Sequence, residues 1–70
     1  GYVLIIKHQN SFMSFYKHNS EVFKSKGDYV KSGETIAIIG NSGKYSTGPH
    51  LHFELWKGSS PVNPMNYILF

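Results

Sequence analysis

Apolar positions in this chain come in short runs and not in a helical stripe. Tyr2-Val3-Leu4-Ile5-Ile6 is continuous and rich in β-branched residues, the pattern of a strand buried on both faces. Gln9-Asn10-Ser11 carries turn chemistry, and Phe12-Met13-Ser14-Phe15-Tyr16 follows as an aromatic second strand. The two runs read as a hairpin. Thr35-Ile36-Ala37-Ile38-Ile39 predicts a third buried strand between Gly33 and Gly40. Leu51 to Trp56 predicts a fourth, with Pro49 before it and Gly58-Ser59-Ser60-Pro61 after it. No long segment spaces its apolar positions by three and four, which argues against a long helix. Asn63-Pro64-Met65-Asn66-Tyr67 predicts one helical turn, with Asn63 as N-cap and Pro64 in the first helical position. The expected class is mostly β, an antiparallel sheet with little helix.

Between Lys26 and Gly40 two turn signals, Gly27-Asp28 and Gly33-Glu34, flank a short extended piece and predict a small hairpin subdomain. Glycine serves such corners because the backbone there often needs positive φ. Biotinyl and lipoyl carrier domains use similar hairpins. They also present a lysine at a hairpin tip between small or methionine residues, and none of the seven lysines has that setting.

Composition narrows the classes. Seventy residues make one small domain or part of one, with marginal capacity to bury a core. Cysteine is absent, which removes disulfides, thiolate metal sites and cysteine nucleophiles together. The net charge of +3 comes from lysines without arginine. The guanidinium groups that favour bidentate phosphate or base contacts are therefore missing, and no nucleic-acid partner is expected. No run approaches the roughly 20 apolar residues of a membrane span. The opening apolar run is also too short for the core of a signal peptide. The residue type to follow is histidine, present at positions 8, 18, 50 and 52.

Gly40-Asn41-Ser42-Gly43-Lys44 has the glycines and lysine of a phosphate loop but not its spacing. Tyr45 stands where Ser or Thr is needed, and a strand is expected where the helix should begin. His50-Leu51-His52 is more informative. Two residues apart on a strand, the imidazoles share a face, with Cα atoms about 6–7 Å apart. Glu54 continues that face, while Leu51, Phe53 and Leu55 line the opposite, core face. Such a pair can share a metal, or one ring can bind metal while the other handles a proton; it can equally be two surface histidines. His18 closes the second strand on the side of Ser14 and Tyr16, and joins the pair on one wall if the two strands share a sheet. His8 ends the first strand and reads as a hydrogen-bonded structural residue.

Ser46-Thr47-Gly48-Pro49-His50-Leu51-His52-Phe53-Glu54 resembles the closing signature of the lysostaphin-type (LytM-like) zinc endopeptidases, which are peptidoglycan hydrolases. Phe15-Tyr16-Lys17-His18 resembles the family's second-strand motif. Gly27-Asp28-x-Val30-x-x-Gly33, Ile38-Ile39-Gly40-x-x-Gly43 and Pro61-Val62-Asn63-Pro64 are similar to its hairpin, the following turn and the exit from the last strand. The resemblance implies that His52 is a Zn2+ ligand and that His18 and His50 are catalytic. Those two would help deprotonate the attacking water and hydrogen-bond the oxyanion. It further implies hydrolysis of peptide bonds in peptidoglycan cross-links, and a place in the bacterial cell envelope. Activity should then fall below about pH 6 as imidazoles protonate. Glu54 is either an orienting partner for a ligand or a solvated strand carboxylate. Lys44, Ser46 and Thr47 either line a substrate groove or form a surface loop.

The family's other two zinc ligands come from an upstream His-x-x-x-Asp motif, which this sequence lacks: four residues before Asp28 stands Lys24, and four after His8 stands Phe12. One histidine cannot hold a catalytic zinc, whose site takes three protein ligands and an open position. The expectation is that residues 1–70 form the C-terminal part of a peptidase domain, incomplete at the N-terminus. The alternative is a degenerate, non-catalytic relative that binds cell wall or activates a partner hydrolase.

Overall fold

A computed structural model describes residues 1–40 and 50–68. Five strands and one turn of 3-10 helix appear in the order β1 (Tyr2–Lys7), β2 (Phe12–Val22), β3 (Ala37–Ile39), β4 (His52–Lys57), β5 (Ser60–Val62) and η1 (Pro64–Asn66). The strands form one antiparallel sheet, as the hydrophobic pattern predicted. Its order is β1-β2-β4-β5, with β3 also paired to β2. No helix among the described residues is long and apolar enough to cross a membrane.

The β1–β2 hairpin closes through Asn10 and Ser11, whose φ values are 62° and 64°. Two consecutive positive-φ residues give the turn the twist that antiparallel strands need. The Phe12 N–H donates to the Gln9 carbonyl across it at 3.4 Å. β2 is the spine of the sheet. Residues 13–19 pair with β1 on one edge. On the other edge residues 12–17 pair with β4 and residues 19–22 with β3. The chain between Phe23 and Ile36 forms the expected small arm. Its ends meet where the Phe23 N–H donates to the Ile36 carbonyl at 2.9 Å, and Lys24 and Glu34 form an ion pair across it. Both predicted corners are present, with Gly27 at φ 93° and Gly33 at φ 82°.

Several expectations need correcting. β1 is not buried on both faces. Tyr2, Val3 and Ile5 are each at least half exposed, and only Leu4 and Ile6 turn to the covered side. β3 is shorter than predicted, and Ile38 and Ile39 are exposed. β2 runs six residues past Tyr16, because ladder bonds on both edges carry its polar half. β5 is a strand that the pattern does not predict, since Gly58-Ser59-Ser60-Pro61 reads there only as the boundary after the fourth strand. An edge strand tolerates proline, since one side of its backbone needs no donor. The helical turn matches its prediction, Asn63 Oδ1 accepting from the Met65 N–H at 3.0 Å.

One face of the sheet carries Leu4, Ile6, Ser14, Tyr16, Phe53 and Leu55, and it is the inner one. Among the described residues Leu55 is the single buried apolar side chain, 6% exposed. Between β1 and the arm lies a cavity of about 1130 Å³, bordered by Leu4, Ile6, Tyr16, Tyr29 and Ile36.

Candidate functional site

β4 positions the site by simple alternation. His52, Glu54 and Trp56 project to one face, and Phe53 and Leu55 to the other. Register with β2 places Lys17 opposite His52 and Phe15 opposite Glu54. The Glu54 carboxylate therefore sits among donors from both strands. Oε2 accepts from Lys17 Nζ and from His52 Nε2, each at 2.8 Å, and Oε1 accepts from Trp56 Nε1 at 2.9 Å. Hydrogen bonds from Lys17, then Trp56, then His52 hold the Glu54 carboxyl at a pKa of about 2. An ionised carboxylate can only accept, so the hydrogen of the His52 ring resides on Nε2. Nδ1 then carries the lone pair.

His18 reaches this cluster by a different route. Strict alternation would send it to the Ser14 and Tyr16 face, the side predicted from sequence. Instead the register against β1 shifts between Tyr2 and Leu4, so that Lys17 and His18 together stand opposite Val3. This is a β-bulge, which bends a strand and re-aims its side chains. His18 pays for it with a φ of 65°, a left-handed conformation costing a non-glycine residue about 1–2 kcal/mol. Its ring lies 5.7 Å from that of His52 and 6.3 Å from that of His50, centre to centre.

His50 joins from the exposed segment just before β4, not from within a strand as expected, so its placement does not follow from alternation. Leu51 is likewise exposed instead of lining the core. His18, His50 and His52 nonetheless converge. His8 stays apart, its Nε2 2.6 Å from Ser14 Oγ, which in turn donates to the Tyr16 hydroxyl at 3.1 Å. Lys44, Ser46 and Thr47 lie outside the described residues.

Sequence reasoning missed Lys17 and Trp56 as partners of Glu54. Trp56 continues the period-two face of His52 and Glu54 and was readable there, whereas Lys17 depends on cross-strand register. As for a metal, His52 offers one imidazole nitrogen of suitable tautomer. Among the described residues no three His, Asp or Glu side chains are grouped closely enough to hold an ion. Any complete ligand set needs donors from elsewhere.

The model of peptidase family M23 matches residues 1–64. The peptidoglycan DD-endopeptidase ShyA of Vibrio cholerae is 43% identical over 65 residues, covering 93% of this chain and 15% of its own length. The DD-carboxypeptidase/endopeptidase Mpg of Neisseria meningitidis is 39% identical over 69 residues, 99% of this chain and 16% of its own length. The murein hydrolase activator NlpD of Escherichia coli is 42% identical over 69 residues, 97% of this chain and 17% of its own length. The chain thus spans less than a fifth of these curated relatives. No solved structure matches.

Proposed function

The chain belongs to peptidase family M23, and on that premise we propose that it is the histidine-bearing part of a zinc endopeptidase that cuts peptide bonds in bacterial peptidoglycan cross-links. The observation that carries the reading is the convergence of three imidazoles, one of them held in a fixed tautomer by an ionised carboxylate. In this reading His52 contributes Nδ1 to zinc, and Glu54 orients its ring by accepting from Nε2. The remaining ligands come from outside these residues. Zinc, when bound, supplies a Lewis acid and brings the acidity of water near neutrality. His18 and His50 then act on the water and the scissile carbonyl. Between them they take the proton from the attacking water, hydrogen-bond the carbonyl oxygen as it gains charge, and return a proton to the leaving amine. The names of the endopeptidase relatives support peptidoglycan peptide as substrate and the cell envelope as the place of action.

A second reading, a non-catalytic module that activates a partner hydrolase, is favoured by the likeness to NlpD and by the incomplete ligand set among the described residues. Zinc content and peptide release from purified peptidoglycan, measured on the full-length protein and on His52→Ala, separate the two. The peptidase reading expects about one zinc per chain and turnover, both lost in His52→Ala. Absence of zinc and turnover in the parent, with stimulation of an added hydrolase, would establish the activator.

A further inference from the structure

A bulge interrupts the ladder that normally satisfies backbone carbonyls, and a buried carbonyl left without a donor is costly. At this bulge one side chain donates to backbone carbonyls on both strands. Asn19, the residue after His18, is 2% exposed and faces inward. Its Nδ2 donates to the carbonyl of Tyr16, three residues back across the bulge, at 2.9 Å. The same group donates to the carbonyl of Tyr2 on β1 at 3.1 Å. One carboxamide thereby ties both strands together at the point where the extra residue enters. The opposite side of the bulge is closed by Gly40, whose N–H donates to the His18 carbonyl at 2.9 Å. A Cβ at Gly40 would collide with that carbonyl oxygen.

From this arrangement we propose that Asn19 is a positioning residue, whose buried carboxamide holds the bulge that sets His18 among His50 and His52. The hydrogen bonds of the Asn19 side chain go to backbone carbonyls of β1 and β2 and not to the histidine rings. Asn19 acts through the backbone of β2. Without the bulge, alternation returns His18 to the Ser14 and Tyr16 face, and the cluster loses a member. Buried asparagine suits the task because two N–H groups on one planar atom reach two carbonyls at once. Alanine offers no donor, and serine offers one.

The consequence for catalysis rests on the peptidase reading, but the geometric claim does not. The test compares the full-length protein with Asn19→Ala, Asn19→Ser, His18→Ala and the double variant His18→Ala/Asn19→Ala. Nuclear Overhauser contacts between the His18 and His52 rings report the geometry. Zinc content, kcat and KM on peptidoglycan peptide report the consequence. In Asn19→Ala the ring contacts should disappear and kcat should fall by roughly tenfold or more, with KM and zinc content near the parent's. In the His18→Ala background the same change should cost less than about twofold, because its target is already gone. Asn19→Ser should fall between parent and alanine, and it carries the test if the alanine variant does not fold. Ring contacts that persist unchanged in a folded Asn19 variant would overturn the proposal. So would a double variant whose loss equals the product of the single losses. A parent that shows no turnover would instead refute the peptidase reading and leave the ring contacts to decide the role of Asn19.

Discussion

Glu54 shows how a half-exposed carboxylate becomes a structural anion. Three donors from two strands converge on it, and the resulting low pKa keeps it ionised throughout the neutral range. Its partner His52 is thereby limited to one tautomer, something a serine or glutamine neighbour would not impose. On the proposed role of His52 as a zinc ligand, Glu54→Gln in the full-length protein is expected to weaken zinc binding by about 10–100-fold, the usual cost of losing a ligand's orienting partner. Competition with a chromogenic chelator would measure it, and unchanged affinity would show that His52 needs no such partner. The face shared by His52 and Glu54 was legible in the sequence, because period-two alternation needs nothing beyond the strand itself. The position of His18 was not. It depends on a left-handed residue that carries no glycine to announce it.

Among the elements, β2 and the arm differ in what sustains them. The aromatic first half of β2 was legible from its side chains. The second half, His18-Asn19-Ser20-Glu21, is polar, and only pairing with β1 and β3 makes it a strand. β5 has only three residues and no apolar alternation, so it too is a strand by its pairing, here with β4. The arm between Phe23 and Ile36 relies on turns and on the pairing of Lys24 with Glu34. The Glu34 carboxyl is held below its ordinary 4.5, chiefly by the hydrogen bond from Lys24 and next by the Lys31 N–H. Below that value the unfolded chain binds more protons than the folded one. The contribution to stability is thus complete above pH 4.5 and is lost as pH falls through the lower folded value. Glu34→Gln should make thermal stability fall less steeply as pH drops through and below 4.5. The difference is small, because an exposed ion pair contributes little. Calorimetric melting across that range would detect it, and parallel curves for parent and variant would contradict it.

At the scale of the whole molecule, the sheet has far more surface than interior. A single buried leucine and an open cavity beside β1 leave the inner face thinly covered, so the described elements depend heavily on backbone pairing. This bears on the outer edge of β1. Tyr2-Val3-Leu4-Ile5-Ile6 presents five consecutive apolar residues, four of them of high β-propensity, without a charge or a proline, at the end of the described strand order. Such a segment is a template on which an identical segment of another molecule can add, strand upon strand, and nothing within it acts as a gatekeeper. Lys7 alone guards one end. Ile5 is half exposed, so lysine fits there without entering the core, and Ile5→Lys should lower folding stability by about 1 kcal/mol, the span of strand propensities. The same change should lower the light scattering of a concentrated solution of residues 1–70 several-fold and slow its thioflavin response. If scattering is unaltered, the molecules associate by another surface. In residues 1–70 taken by themselves, the run that marks the first strand in the sequence is thus also one on which a second chain can add.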